Sequence, residues 1–266
     1  MAFTHQIKSG RALLAVEVVG AGDPVIFLHA AICDRRMWRA QMAAVGATHQ
    51  AIAYDRRGFG ETRAETEDHS AVGDLLAVMD AVADGKAVTL VGCSQGGRIA
   101  LDTALLHPAR VRRLALIAPT VPGAPEAAYP PGVQAQMAAL KQAEVSGDLD
   151  QVNAMKARLF LDGPREAEGR VGGSARQLFL DMHGTAIRST PAGASLDALD
   201  TFGRLGEITV PTLVMWGSFD FPHIQERSRR VSTLISDGAG QEVPGAAHLP
   251  SLDQPEAISR LLADFI

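Results

Sequence analysis

The ten-residue stretch Thr89–Arg98 (TLVGCSQGGR) constrains the fold more than any other part of the chain. An apolar run, a Gly-x-Ser-x-Gly pattern and a helix-compatible segment follow one another, which predicts a strand, a tight turn and a helix. Bulky side chains two positions either side of Ser94 would clash, which accounts for Gly92 and Gly96, and Gly97 lets the helix lie close to the sheet. The strained turn would hold the Ser94 hydroxyl at the N-terminus of a helix, where the helix dipole and free N–H groups favour negative charge.

The pentapeptide alone is modest evidence, because at average glycine and serine frequencies it arises by chance in about one chain in ten of this length. The 266 residues suit one large α/β domain or a core with an insertion. A net charge of −5 argues against a nucleic-acid partner, and no apolar run reaches the roughly 20 residues that span a bilayer. The N-terminal residues show no signal-peptide pattern. Cys33 and Cys93 make no disulfide scaffold, so we expect a reducing, cytoplasmic location.

Strand and helix patterns alternate over most of the chain. Strand patterns occur near residues 3–8, 12–19, 25–29, 49–55, 88–92, 111–118, 212–216 and 241–243. Helix patterns occur near residues 37–45, 70–83, 98–106, 224–235 and 256–266. This alternation predicts a doubly wound, mostly parallel sheet that is covered by helices on both faces.

The alternation is interrupted after Pro119. From there to about Gly206 the sequence has no convincing strand pattern and opens with a segment rich in proline and glycine. Helical patterns follow near residues 133–145, 149–161, 167–183 and 195–205. These features predict an all-helical insertion between two strands of the sheet.

A serine hydroxyl is a weak nucleophile unless a base lies within hydrogen-bond reach and a carboxylate orients that base. In doubly wound sheets such groups follow the carboxyl ends of strands. Asp220 follows the 212–216 strand, and His248 lies between the last strand and the last helix. Both could instead be ordinary loop residues, an aspartate that caps a helix and a solvated histidine. Their order after Ser94 and their placement at strand ends favour a catalytic role.

Other candidates have weaker placements. His223 could compete as the base, although it begins a helix only three residues after Asp220. We expect Asp55 to fix the Asp55–Gly60 turn through backbone hydrogen bonds, and Asp253 to cap the terminal helix. The remaining histidines lie on surface-like segments, at a helix end or in the insertion: His5, His49, His69, His107 and His183.

A reaction through a tetrahedral intermediate also needs two N–H donors where the oxyanion develops. One is the backbone N–H of Gln95, directly after Ser94. The other should come from the loop after the 25–29 strand, where the N–H of Ala31 is the predicted donor. His29 is expected to hold that loop in shape.

Five segments together resemble the α/β-hydrolase superfamily, over nearly the whole chain outside the insertion: His29–Ala31 (HAA), Tyr54–Gly60 (YDRRGFG), Gly92–Gly97 (GCSQGG), Gly217–Asp220 (GSFD) and Gly245–His248 (GAAH). The chain looks most like small bacterial carboxylesterases and enol-lactone hydrolases. It departs from the family pattern at Ala30, where the family usually has glycine, and Cys93 brings a thiol next to the nucleophile.

The resemblance implies an α/β-hydrolase core of eight strands, residues 1–119 and 207–266, and a helical cap, residues 120–206. It also implies a catalytic triad of Ser94, Asp220 and His248, with an oxyanion hole at Ala31 and Gln95. A serine at the elbow argues against the dehalogenase and epoxide-hydrolase branches, which have aspartate there. Perhydrolase, thioesterase, lactonase and carbon–carbon hydrolase activities stay open, because fold does not fix function.

The expected activity is acyl transfer from a small ester or lactone, with no metal or organic cofactor. The sequence shows no metal-ligand spacing, phosphate-binding loop or dinucleotide fingerprint. A ligand-binding protein that keeps the fold without turnover is the main alternative, and the chain could be a monomer or a homodimer. Apolar residues of the insertion and of the segments around the triad are predicted to line the pocket, although most of them could equally pack the core: Ile32, Trp38, Met137, Met155, Phe160, Met182, Phe221 and Leu249.

Overall fold

Nine strands form one sheet in the computed structural model, which describes residues 3–266. Eight of them follow the order β1-β2-β4-β3-β6-β7-β8-β9, and the short β5 pairs with β2. The pairs β1–β2 and β2–β4 are antiparallel, whereas the pairs from β4–β3 to β8–β9 are parallel. The strands are β1 Phe3–Ser9, β2 Ala12–Val19, β3 Pro24–Leu28, β4 Gln50–Tyr54, β5 Arg63–Ala64, β6 Val88–Cys93, β7 Val111–Ile117, β8 Thr212–Gly217 and β9 Gly238–Val243. The predicted sheet is therefore confirmed.

The helices are α1 Arg39–Val45, α2 Ala71–Val82, α3 Gln95–Leu106, α4 Pro131–Ser146, α5 Leu149–Lys156, α6 Gly173–Ala186, α7 Pro222–Leu234, α8 Pro250–Asp253 and α9 Pro255–Phe265. Those outside the chain between β7 and β8 cover both faces of the sheet. The side chains of β3 alternate between the two layers, as a strand buried on both faces requires. Val25 and Phe27 pack in the cluster that contains apolar residues of α1 and α9. Ile26 and Leu28 pack in the cluster that contains those of α2 and α3.

The chain between β7 and β8 holds α4, α5 and α6, in the stretch where the sequence patterns predict a helical insertion. Its details differ from the prediction at three places. The 149–161 pattern ends as a π-helix over Ala157–Asp162, and the predicted 167–183 helix begins only at Gly173. The predicted 195–205 helix is wrong, except for a 3₁₀ helix at Phe202–Glu207.

The 192–197 segment is extended because it pairs with the chain before α2. Glu67 N–H donates to Ala192 O at 3.1 Å, and Leu196 N–H donates to His69 O at 2.8 Å. Asp197 then accepts hydrogen bonds from the Ser70 hydroxyl and the Ala71 N–H at the start of α2. At residues 195–197, where the predicted helix would begin, local helical periodicity is thus overridden by partners more than 120 residues away. Over residues 3–266, none of the helices combines the length and apolar character needed to cross a membrane.

Candidate active site

Ser94 occupies a strained turn between β6 and α3. Its backbone φ is 52° and its ψ is −113°, in the positive-φ region that side-chain-bearing residues rarely adopt. Ala118, just past the adjacent strand β7, has φ of 46°. Two strained residues thus lie at neighbouring strand ends, and strain of this kind is concentrated at functional sites.

The glycines around Ser94 permit close backbone contacts that no side chain could share. A Cβ atom on Gly92 would lie 2.5 Å from the carbonyl oxygen of Gly96. A Cβ atom on Gly96 would lie 2.1 Å from the carbonyl oxygen of Leu28, and one on Gly97 would lie 2.9 Å from Pro119 Cβ. The turn therefore needs glycine at these positions, as the sequence pattern indicates.

Asp220 and His248, predicted from sequence as partners, lie together. His248 Nδ1 and Asp220 Oδ2 are 2.8 Å apart, and both side chains are buried. The other carboxylate oxygen, Oδ1, accepts the Phe221 N–H at 2.7 Å. These bonds fix the carboxylate on two sides and direct the histidine's Nε2 away from it, which leaves that nitrogen able to act as a base.

The loops that carry these two residues are joined along their backbones. Phe219 N–H donates to Ala246 O at 2.8 Å, and Gly245 N–H donates to the Ser218 hydroxyl at 2.9 Å. A Cβ atom on Gly217 would lie 2.2 Å from the carbonyl oxygens of both Ala246 and Ala247. Gly217 is therefore required for the two loops to approach closely.

The elbow, residues 92–97, lies against the loop that carries His248, which we call the histidine loop. Cys93 Sγ is 3.8 Å from the His248 carbonyl oxygen. The Ser94 hydroxyl is 3.5 Å from that of Thr120, and within residues 3–266 it forms no hydrogen bond with His248. Nucleophile–base hydrogen bonds are often long in unliganded enzymes and tighten when substrate binds. The triad as a working unit therefore stays a prediction.

The two predicted oxyanion donors are available. Across the described chain, the backbone N–H groups of Ala31 and Gln95 donate to no protein acceptor. Gln95 is the first residue of α3, where N–H groups have no intrahelical acceptor. Ala31 is exposed in the loop after β3. Their role as an oxyanion hole remains a prediction.

His29 supports the loop that carries Ala31, as expected. Its Nδ1 lies 2.8 Å from Ala30 O and its Nε2 accepts the Arg56 N–H at 3.1 Å, so the neutral ring bridges two loops. Burial and the nearby Arg56 guanidinium lower the pKa of His29 well below its usual value. Arg56 itself is nearly buried, and its pKa is lowered to about 10 by burial.

Asp55 fixes its turn as predicted, since its carboxylate accepts the Glu61 N–H at 2.9 Å and the Arg35 N–H at 2.8 Å. The prediction that Asp253 caps the terminal helix is wrong. Gln254 is the residue that precedes α9, and Asp253 instead accepts the Ala247 N–H at 3.0 Å and pairs with Arg170. The position of Asp253 before a helix could not reveal these contacts, because Ala247 and Arg170 come close to it only in the tertiary fold.

The competing histidines lack an orienting carboxylate. His223 packs against the rings of Tyr129 and Phe221, and its Nδ1 has no hydrogen-bond partner among residues 3–266. Burial and Arg227 lower the pKa of His223 to about 4. His183 is buried in the insertion and hydrogen-bonds Asn153 Oδ1 at 2.9 Å. His248 is therefore the histidine best placed to serve as a base for Ser94.

The eight residues predicted to line the pocket lie in different environments. Phe160, on the π-helix, packs edge-on against the His248 ring at 5.3 Å and against Phe221 at 5.2 Å. Met155 lines a surface cavity of about 330 Å³ on the insertion. The fully buried members are Trp38, Met182, Phe221 and Leu249, and the partly buried ones that pack on the same cluster are Ile32 and Met137. Phe160 is thus the predicted pocket residue that the structure places in contact with His248.

Two residues near the site were not found from sequence. Thr120 contacts the Ser94 hydroxyl, and Arg170 reaches the histidine loop from the insertion. The position of Thr120, three residues after the end of β7, was a usable signal, whereas nothing local marks Arg170. Within residues 3–266, no group of three histidine, cysteine, aspartate or glutamate side chains is arranged to hold a metal ion.

Known proteins share this architecture. Residues 25–261 match the model of the Alpha/beta hydrolase family. The chain is 31% identical over 236 residues to "Putative carbamate hydrolase RutD" of Variovorax paradoxus (strain S110), covering 86% of each chain. It is 25% identical to 3-oxoadipate enol-lactonase 1 of Acinetobacter baylyi, covering 95% of this chain and 92% of that one.

A solved structure supports the fold independently. The thermophilic esterase from Thermogutta terrifontis superposes with a TM-score of 0.76 at 23% identity, covering 99% of this chain and 97% of that one. Likeness at this identity concerns the fold, while the family match extends over most of the chain. The chain is a hydrolase that belongs to the alpha/beta hydrolase family.

Proposed function

We propose that this hydrolase cleaves carboxylic esters of small apolar substrates through an acyl-enzyme on Ser94. The observation that carries the proposal is the buried 2.8 Å hydrogen bond between His248 and Asp220, beside the strained turn of Ser94. A histidine that is oriented by a carboxylate and lies next to a serine at a helix N-terminus is the arrangement that nucleophilic acyl transfer requires.

In the proposed reaction, His248 Nε2 takes the Ser94 proton as the hydroxyl attacks the ester carbonyl. Asp220 holds the required imidazole tautomer and stabilises the imidazolium. The N–H groups of Ala31 and Gln95 bind the oxyanion, and His248 then protonates the leaving alcohol. Water next attacks the acyl-enzyme by the same steps in reverse, which releases the acid and restores Ser94.

The insertion, residues 120–206, is proposed to act as the cap over this site. Phe160 supports this role because its ring packs on His248. Phe160 and Phe221 would form an apolar wall beside the base, which suits an apolar acyl or alkyl group. Lys156, the cation nearest Phe160 in α5, already pairs with Glu144 at 3.3 Å.

The first test is hydrolysis of p-nitrophenyl esters with acyl chains from two to twelve carbons, by the wild type and by Ser94→Ala. We expect turnover that is fastest on short chains and is lost in the variant. Thr103→Ala is the matched control, because its buried hydroxyl bonds within α3 away from the site. Folded wild type without turnover on any chain length would overturn the ester proposal.

A lactone is the second candidate, since an enol-lactonase aligns with 95% of this chain. An enol-lactone and an aryl carbamate are therefore added to the panel, the latter because of the 31% identical relative. One of these two substrates could be turned over faster than any ester, with turnover lost in Ser94→Ala. That result would support the proposed mechanism but assign a different substrate. Perhydrolase and carbon–carbon hydrolase activities are tested on the same two proteins. A bound ligand that is never cleaved would indicate a binding protein.

A further inference from the structure

Arg170 belongs to the insertion but lies between the two catalytic loops of the core. All five of its N–H groups have acceptors, which is the full donor capacity of a guanidinium. Nε donates to Asp162 O at 2.7 Å and Nη2 donates to Leu161 O at 3.0 Å, both at the end of the π-helix. On the other side, Nη1 donates to Gly245 O at 2.9 Å, three residues before His248.

The same guanidinium forms a two-oxygen pair with Asp253. Nη1 and Nη2 lie 3.1 Å and 2.5 Å from its two carboxylate oxygens. Asp253 Oδ2 also accepts the N–H of Ala247, the residue before His248, at 3.0 Å. Arg170 therefore holds the histidine loop directly at Gly245 and, through Asp253, at Ala247. Bidentate pairs of this kind fix geometry as well as supplying attraction.

The loop that carries Asp220 also contacts this part of the insertion. We name residues 157–170 the clamp segment. The Arg170 guanidinium lies over the Phe219 ring, 5.2 Å from its centroid, and Phe219 precedes Asp220. Gly163, with φ of 106°, lies so close to Phe219 that a Cβ atom would be 2.7 Å from its carbonyl oxygen. The clamp segment thus contacts the residues next to both members of the Asp220–His248 pair.

A second arginine stabilises the clamp segment without reaching the catalytic loops. Arg176 Nη1 donates to both carboxylate oxygens of Asp162, at 3.0 Å and 2.9 Å, and to Val171 O. Asp162 is fully buried and also accepts the N–H groups of Gly169 and Val171. Arg170 and Arg176 therefore share one network, but the Arg170 side chain extends from it to Gly245 and Asp253.

We propose that Arg170 is a positioning residue, through which the insertion holds His248 in register with Asp220 and Ser94. This inference rests on the proposed serine mechanism. It predicts that loss of the guanidinium fork displaces the base without changing the apolar surface that the substrate contacts. A displacement of about 1 Å at a catalytic group costs roughly a hundredfold in rate. The effect should therefore appear in kcat and leave KM nearly unchanged.

The test compares Arg170→Gln, Arg170→Lys and Arg176→Gln in the full-length protein, with the ester that the wild type cleaves best. We expect Arg170→Gln to lower kcat by about 10- to 100-fold, the loss that a displacement of up to about 1 Å at His248 would cause. Arg170→Lys should lower kcat less, because lysine keeps the positive charge beside Asp253. It should still lower kcat, because lysine lacks the guanidinium fork. Arg176→Gln should keep kcat within about threefold, since it leaves the bonds to Gly245 and Asp253 intact.

Proton NMR can follow the Nδ1–H of His248, which donates to Asp220. A general loss of stability would not change this signal in the same way. This downfield signal should broaden or vanish in Arg170→Gln and persist in Arg176→Gln. Equal losses of kcat in Arg170→Gln and Arg176→Gln would overturn the proposal, as would an unchanged kcat in folded Arg170→Gln. If Arg170→Gln does not fold, an unchanged kcat in Arg170→Lys overturns it. Failure of the serine mechanism is separate, because it would appear as wild-type turnover that survives Ser94→Ala.

Discussion

The elbow of the core and the clamp segment of the insertion both adjoin the Asp220–His248 pair, but different interactions hold them. In the elbow, residues 92–97, glycines allow backbone atoms to approach so closely that a Cβ atom would lie 2.1 to 2.9 Å from its neighbour. In the clamp segment, charged side chains bridge distant parts of the chain. Steric exclusion leaves no tolerated substitute, whereas charge-assisted hydrogen bonds can be weakened by degrees. Substitutions should therefore act as all-or-none changes at the elbow glycines and as graded ones at the charged side chains that hold the clamp segment.

The largest expected effect comes from the pair that both regions adjoin. Asp220→Asn keeps the shape of the side chain but should favour the wrong imidazole tautomer, and we expect kcat to fall by about 10⁴-fold. Steady-state ester hydrolysis measures the loss, and circular dichroism checks the fold. A loss of kcat larger than that in Arg170→Gln would show that the direct hydrogen-bond partner of His248 contributes more than the clamp segment, as we expect. Turnover within tenfold of wild type would exclude Asp220 as the orienting acid.

The elbow can be tested by adding one methyl group. In Gly96→Ala the new Cβ would lie 2.1 Å from Leu28 O and 2.9 Å from His29 O, and neither backbone atom can move without shifting the predicted oxyanion loop. We expect the free energy of unfolding to fall by about 3 kcal/mol or more, with activity lost. Gly132→Ala, in α4 with no atom within 4 Å of the added Cβ, is the control.

The control should gain about 0.5–1 kcal/mol, because alanine favours the helix. Urea unfolding measures both variants. Equal stability of Gly96→Ala and wild type would show that the elbow tolerates substitution and would remove the contrast with the clamp segment.

The core and the insertion each contain a buried neutral histidine, His29 and His183. Burial lowers the pKa of His183 from 6.5 to about 4. Between pH 6.5 and 4 the unfolded chain therefore binds a proton that the folded chain does not, so this histidine destabilises the fold as pH falls. The contribution reaches up to about 3 kcal/mol near pH 4.

We expect the free energy of unfolding of His183→Gln to fall less than that of wild type between pH 6.5 and 4. His29 is present in both proteins, so its contribution cancels in the difference. Thermal unfolding measured from pH 7 to pH 4 gives the difference. His5→Gln, whose side chain is exposed, provides the control. Parallel pH curves for His183→Gln and wild type would show that this histidine is charged or exposed in the folded insertion.

Sequence reasoning succeeded where short-range rules decide the outcome. The elbow glycines follow from the Gly-x-Ser-x-Gly pattern of one tight turn, although Gly96 and Gly97 also meet Leu28 and Pro119 from other parts of the chain. The Asp220–His248 approach follows from both residues lying at strand ends of one sheet. It failed where a distant partner decides. The helical pattern that begins at residue 195 fails because residues 192–197 are held extended by residues 67–71. The core partners of Arg170 lie 75 and 83 positions away. Those pairings become visible only once the topology brings the chain segments together.

The smallest expected effect comes from a second contact between the insertion and the core. Arg36 Nη1 lies 2.6 Å from Asp181 Oδ2, but the Asp181 side chain is 56% exposed, and Arg36 keeps its bonds to Asp34 without it. Exposed ion pairs of this kind contribute about 0–1 kcal/mol, because water and salt screen them. Asp181→Asn should therefore change the free energy of unfolding by less than about 1 kcal/mol and leave kcat within twofold of wild type. Urea unfolding at low and high salt, together with ester turnover, measures both quantities. A loss of kcat comparable to that of Arg170→Gln would mean that any contact between insertion and core aligns His248, and that the clamp segment has no special role.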